Sequence, residues 1–72
     1  MIGTVKFFIP SKGWGFITYT ELGREIDCLV HFSDILSDTP SYKKLKEGQT
    51  VEFDLIENIK GPKAINVKPI RN

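Results

Sequence analysis

The stretch that decides the reading of this chain is Lys12-Gly13-Trp14-Gly15-Phe16-Ile17, answered a short way downstream by Leu29-Val30-His31-Phe32. Alternate residues of a strand point to opposite faces. Trp14 and Phe16 therefore share one face and Ile17 takes the other. On the second stretch Leu29 and His31 stand together, opposite Cys28 and Val30. Two neighbouring strands thus carry rings outward while their aliphatic residues turn in. A small domain gains no stability from displaying Trp, Phe and His together, and such a patch usually marks a binding surface.

Working outward, the apolar residues alternate or come in short clumps rich in β-branched and aromatic types, with no helical period of useful length. The pattern predicts strands over about 2–9, 14–20, 26–32, 50–58 and 63–70. Pro10-Ser11, Leu22-Gly23-Arg24 and Lys60-Gly61-Pro62 supply the turns. Residues 34–41 read as a loop, since Asp38, Thr39 and Pro40 oppose regular pairing. Ser33 is placed to cap one short helical turn ending near Leu36. Leu45 is expected to anchor the loop. Val5, Ile17, Cys28, Val30, Val51, Phe53 and Val67 form the expected inward row. Five short strands in 72 residues cannot cover both faces of an open sheet. Closure also removes exposed edges, so the expected fold is an all-β, five-stranded antiparallel barrel, one domain spanning residues 1–72.

Composition agrees with one small, marginally stable domain, since a chain of this size hides only ~60% of its unfolded surface. The 40% hydrophobic content is enough for one core. Net charge is only +1, so distribution matters more than the sum: Lys6, Lys12, Lys60 and Lys63 flank Gly and aromatic residues. Glu21, Glu25, Glu52, Asp54 and Glu57 read as an acidic back. The single cysteine, Cys28, excludes an internal disulfide and fits a reducing compartment. No apolar leader and no run of ~20 apolar residues is present, so a cytoplasmic location and no membrane contact are expected.

The chemistry of the two stretches is that of stacking. Gly13 and Gly15 leave room for a flat ligand or a neighbouring ring beside Trp14 and Phe16. Two rings at i and i+2 stand about 7 Å apart, a spacing suited to successive unstacked bases. Every base has a π face, so such a platform tolerates many sequences. The lysines would supply phosphate contacts. Phe7 and Phe8 are adjacent, so a regular strand sends one out and one in, and Phe7 is the better outward candidate. Phe32 reads equally as a base platform or a core lid, and Tyr42 as a base contact or a shield. Asp27 reads as a base-edge acceptor or a group satisfying a turn, with the turn preferred. Cys28 and His31 have a Cys-x-x-His spacing, but on a strand they face opposite ways, and two ligands are too few for zinc. No nucleophile–base arrangement is visible, so neither enzyme activity nor a cofactor is expected.

These motifs resemble those of the bacterial cold-shock proteins and related cold-shock domains. That family carries Lys-Gly-Phe-Gly-Phe-Ile and Val-Phe-Val-His-Phe, similar to Lys12–Ile17 and Cys28–Phe32. Further matches are Gly3, Val5-Lys6, Phe8, Ser33, Ile35, Leu45, Glu47-Gly48-Gln49, Val51, Phe53, Lys60-Gly61-Pro62, Ala64 and Asn66-Val67, in order along nearly the whole chain. The resemblance implies an OB-fold barrel, binding to single-stranded RNA and DNA of pyrimidine-rich sequence, and an RNA-chaperone role. Carried over position by position, the surface comprises Lys6, Phe7, Phe8, Lys12, Trp14, Phe16, Asp27, Leu29, His31, Phe32, Tyr42 and Lys60. Phe7 stands where the family has Trp, and Trp14 where it has Phe, so a ring is kept at both. Leu29 replaces a stacking Phe, which implies weaker binding there. Ile9 and Ile59 replace polar residues. A monomer is expected, and the loop with Pro40 would permit a strand-exchanged dimer. The competing reading is a protein-interaction module that grips a partner with the same aromatic face.

Overall fold

The computed structural model describes residues 1–36 and 45–70. Its strands are β1 (Ile2–Ile9), β2 (Trp14–Glu21), β3 (Arg24–His31), β4 (Thr50–Asn58) and β5 (Gly61–Pro69), with a 3₁₀ turn, Phe32–Asp34, after β3. They close into a barrel in the order β1-β2-β3-β5-β4. Four seams are antiparallel, as expected. The fifth is not: β3 meets β5 in parallel, through Leu29↔Lys63 and Val30↔Ala64. The chain segment after β3 continues this parallel seam, with Ile35 bridged to Val67 and the Leu36 N–H donating to the Val67 carbonyl at 2.7 Å.

The inward row is the expected one. Val5, Ile17, Cys28, Val30, Val51, Phe53 and Val67 are all buried, joined by Tyr19, Ile35, Leu45 and Ala64. Tyr19 packs edge-on against Phe53, ring centroids 5.9 Å apart. Burial raises the pKa of its hydroxyl.

Two bulges shape the barrel. Between Val5↔Ile17 and Phe7↔Phe16 the first strand has one extra residue, Lys6, with no partner on β2. Between Glu52↔Lys68 and Asp54↔Ile65, Asn66 and Val67 together oppose Phe53, and Asn66 takes the left-handed conformation with φ 52°. A bulge bends its strand and sharpens the twist, which a five-stranded closure needs.

The β2–β3 connection is tighter than expected. Glu21 pairs with Arg24, so the turn is Leu22-Gly23 alone. The 3₁₀ turn is capped by His31 rather than by Ser33: the imidazole accepts from the Ser33 N–H. Tyr42 and Pro40 lie outside the described residues.

Candidate nucleic-acid interface

The bulge at Lys6 settles which phenylalanine faces out. Val5 is buried and Phe8 packs against the core cluster. These residues are three apart, so regular alternation cannot turn both inward. The extra residue corrects the parity, leaving Lys6 and Phe7 on the outside. Phe8 therefore belongs with the core, which corrects its assignment to the outer surface.

Phe7 enters a cluster with the two rings of β2. Its centroid lies 5.9 Å from Trp14 and 5.6 Å from Phe16. Trp14 and Phe16 stand 6.1 Å apart with their planes at 89°. The rings are half-buried by one another rather than fully bare. They form a mutually braced set of tilted faces, not the flat ladder expected from i, i+2 spacing. Edge-to-face pairs of this kind are worth about 0.5–1.5 kcal/mol each beyond their buried area, so the platform is held before any ligand arrives.

Strand β3 extends the surface in register. His31 lies opposite Trp14, Leu29 opposite Phe16 and Asp27 opposite Thr18. Leu29 is 38% exposed and Phe32 45%, so Phe32 is no core lid. The Phe32 ring sits 4.6 Å from that of His31. It covers Gly13, where an added Cβ would come within 2.7 Å of the ring. The open space at Gly13 is thus filled by a neighbouring ring. That at Gly15 is filled by the β1 backbone, 2.2 Å from an added Cβ at the Phe7 carbonyl oxygen. Neither glycine leaves a slot for a ligand.

His31 is oriented from behind. Its Nδ1 accepts from the Ser33 N–H at 3.3 Å and lies 2.8 Å from the Ser33 Oγ.

Asp27 satisfies no turn. Its carboxylate accepts from Lys6 Nζ at 2.8 Å and from Thr18 Oγ1 at 2.8 Å. The hydrogen bond from Lys6, then that from Thr18, lowers the Asp27 pKa, and the same contact raises that of Lys6. Glu25 contributes to the raised Lys6 pKa. By alternation Glu25 shares the face of Asp27 and Leu29, so it does not belong to an acidic back. Lys63 lies 3.1 Å from Asp34. Lys12 and Lys60 are exposed on the turns that flank β2 and β5. The supporting roles of Thr18 and Ser33 were open to sequence reasoning: alternation puts Thr18 beside Phe16, and Ser33 lies two residues from His31. No group of three or more potential metal ligands is found among the described residues. Among the described residues no helix is long and apolar enough to cross a membrane.

A small closed β-barrel with an outward cluster of rings and flanking lysines defines a class, that of nucleic-acid-binding barrels. The sequence comparisons narrow it. The model of the "'Cold-shock' DNA-binding domain" family matches residues 1–70. The chain is 47% identical over 66 residues to a "Cold shock-like protein" of Aquifex aeolicus, covering 92% of this chain and 89% of that one. It is 52% identical over 65 residues to "Cold shock protein CspA" of Staphylococcus haemolyticus and of Staphylococcus aureus, covering 90% of this chain and 91% of each relative. The chain belongs to the cold-shock domain family, whose members bind nucleic acid.

Proposed function

We propose that this barrel binds single-stranded RNA and DNA through its outer ring cluster and acts as an RNA chaperone. The observation that carries the reading is the braced set Phe7, Trp14 and Phe16, with His31 directly opposite Trp14. The planes of Trp14 and Phe16 are almost perpendicular. Successive bases in a duplex lie parallel, so they cannot stack on both rings at once. A splayed single strand can. Preference for the unpaired state then needs no fuel: a ligand that binds one state draws the equilibrium toward it. Pyrimidine-rich strands are the favoured targets, because such preferences arise from stacking strength and backbone flexibility. The protein acts in the cytoplasm as a monomer.

The test is anisotropy of a labelled oligo-dT or oligo-U, with Trp14 emission followed in parallel. Micromolar or tighter binding is expected, with quenching. Stacking is worth about 1–3 kcal/mol per base. Trp14→Ala with Phe16→Ala should therefore weaken binding by roughly 30-fold or more while the thermal transition stays cooperative. A folded double variant that binds as well as the parent would overturn the proposal and favour a protein partner on this face.

A further inference from the structure

Lys63 belongs to the same cross-barrel row as the base platforms. Phe7 pairs with Phe16, Phe16 with Leu29, and Leu29 with Lys63 across the parallel seam. Lys63 therefore stands one strand beyond Leu29, a step of about 4.8 Å. That is a natural place for a contact to the sugar-phosphate backbone of a strand lying over Phe16 and Leu29.

The ammonium is already occupied. Asp34 Oδ2 lies 3.1 Å from Lys63 Nζ. This oxygen is buried, yet it has no hydrogen-bond partner among the described residues. The two facts fit together when the contact is coulombic and off the hydrogen-bonding line. Docking of the 3₁₀ turn does not need this pair. The Ile35↔Val67 bridge and the Leu36–Val67 hydrogen bond already fasten the same segment to β5, and partly exposed ion pairs add little.

We propose that Asp34 acts as a built-in phosphate mimic that withholds Lys63 from the nucleic-acid backbone. An anionic oxygen fixed against an ammonium does what a phosphate oxygen would do. A lysine neutralised in this way displaces no counterion when a strand binds. Asp34 thereby sets how strongly binding depends on salt and keeps recognition weighted toward the bases. This inference rests on the proposed single-strand binding.

The test is a salt series of oligo-dT titrations on the whole protein, followed by Trp14 emission, for the parent, Asp34→Asn, Lys63→Gln and the double variant. Each lysine freed for a single strand adds about 0.7 to the slope of log K against log salt. Asp34→Asn should steepen the slope by that amount. The loss of affinity between about 50 and 200 mM salt then grows roughly 2.5-fold. The double variant, which carries neither charge, should return to the parental slope; a slope flattened below the parental one would show that Lys63 already contacts phosphate in the parent and would overturn the inference. If Asp34→Asn fails to fold, Asp34→Ser with and without Lys63→Gln makes the same comparison. A folded Asp34→Asn with the parental slope also overturns it while leaving single-strand binding intact. Absence of binding by the parent removes both proposals together.

Discussion

The Asp27 carboxylate accepts a hydrogen bond from Lys6 Nζ at 2.8 Å, although the two residues are 21 positions apart and sit on strands that do not pair with each other. The contact spans β2, and Thr18 of β2 completes it with a second 2.8 Å hydrogen bond. It exists because Lys6 is the bulged residue of β1, turned to the outside. The Lys6 charge, on the same outer face as Phe7, is thus already half-committed to Asp27.

The pH dependence of this cluster follows from its direction of shift. The Asp27 carboxyl is held below its ordinary pKa of 3.8, chiefly by the Lys6 hydrogen bond. A carboxylate depressed in the fold contributes stability above its unfolded pKa and loses it as pH falls through the folded value. Asp27→Asn should therefore be modestly destabilising at neutral pH, with the gap from the parent closing in acid below the usual carboxylate range. Denaturant midpoints at pH 7 and in acid measure it. A gap of constant size would mean that the charge of Asp27 contributes nothing.

Gly15 is a packing requirement. An added Cβ would lie 2.2 Å from the Phe7 carbonyl oxygen and 2.7 Å from the Phe8 Cα. Both are backbone atoms of the paired strand, so no side chain can swing away. Overpacking that moves backbone typically costs about 1–3 kcal/mol, occasionally more. Gly15→Ala is expected at the upper end or beyond it, enough to unfold much of a marginal domain at 37 °C. Circular dichroism on heating reads this directly, and a melting temperature within a degree of the parent would contradict the close approach.

Leu22 is the converse case. The two-residue β2–β3 turn has both centres at positive φ, Leu22 at 51° and Gly23 at 76°. This is the type I′ geometry, which favours Asn-Gly. A left-handed conformation costs an L-residue roughly 1–2 kcal/mol. The Leu22 side chain is 96% exposed, so it recovers almost nothing by packing. Leu22→Asn should stabilise the domain by about 1 kcal/mol, a rise in melting temperature of roughly 4–8 °C for a domain of this size. An unchanged or lower transition would show that the turn relaxes in solution.

What could be read in advance and what could not divides along local and non-local lines. Alternation bounded by Pro10-Ser11 and by the expected turn at Lys60-Gly61-Pro62 is local, and it placed β1 and β4 at their observed ends, although Gly61 and Pro62 themselves pair in β5 and leave Ile59-Lys60 as the connection. The same alternation placed Cys28 and Val30 inward with His31 outward. The apolar pair Val5 and Phe8, an odd number of residues apart, was the available sign of the Lys6 bulge, although a bulge and a solvent-facing Phe8 leave the same local pattern. The parallel β3–β5 seam left no trace in either strand, because β3 and β5 carry the side-chain pattern of any half-buried strand. The partners of Asp27 and Asp34 were hidden for the same reason: each comes from a distant part of the chain, brought close only by closure of the barrel.

Cys28 offers a measure of that closure. Its thiol is buried on β3, with Sγ donating to the Ile17 carbonyl at 3.4 Å, and burial pushes its pKa from 9.0 up to about 11. The thiolate is the reactive form. A rise of two units makes it about a hundredfold scarcer at pH 8 than in the open chain, before any steric shielding. Labelling by a neutral thiol reagent should therefore be slow in the folded protein and fast in denaturant, with the native rate reporting how often the barrel opens. The linkage has a fixed sign. A thiol raised in the fold contributes stability that is fully present below its unfolded pKa of about 9, and loses it as pH rises through about 11. Alkaline solutions should then lower the melting temperature and speed labelling together, and Cys28→Ala should blunt the alkaline fall. Rapid labelling at pH 8 without denaturant would show that β3 separates from β2 under native conditions, contrary to the closed barrel described above.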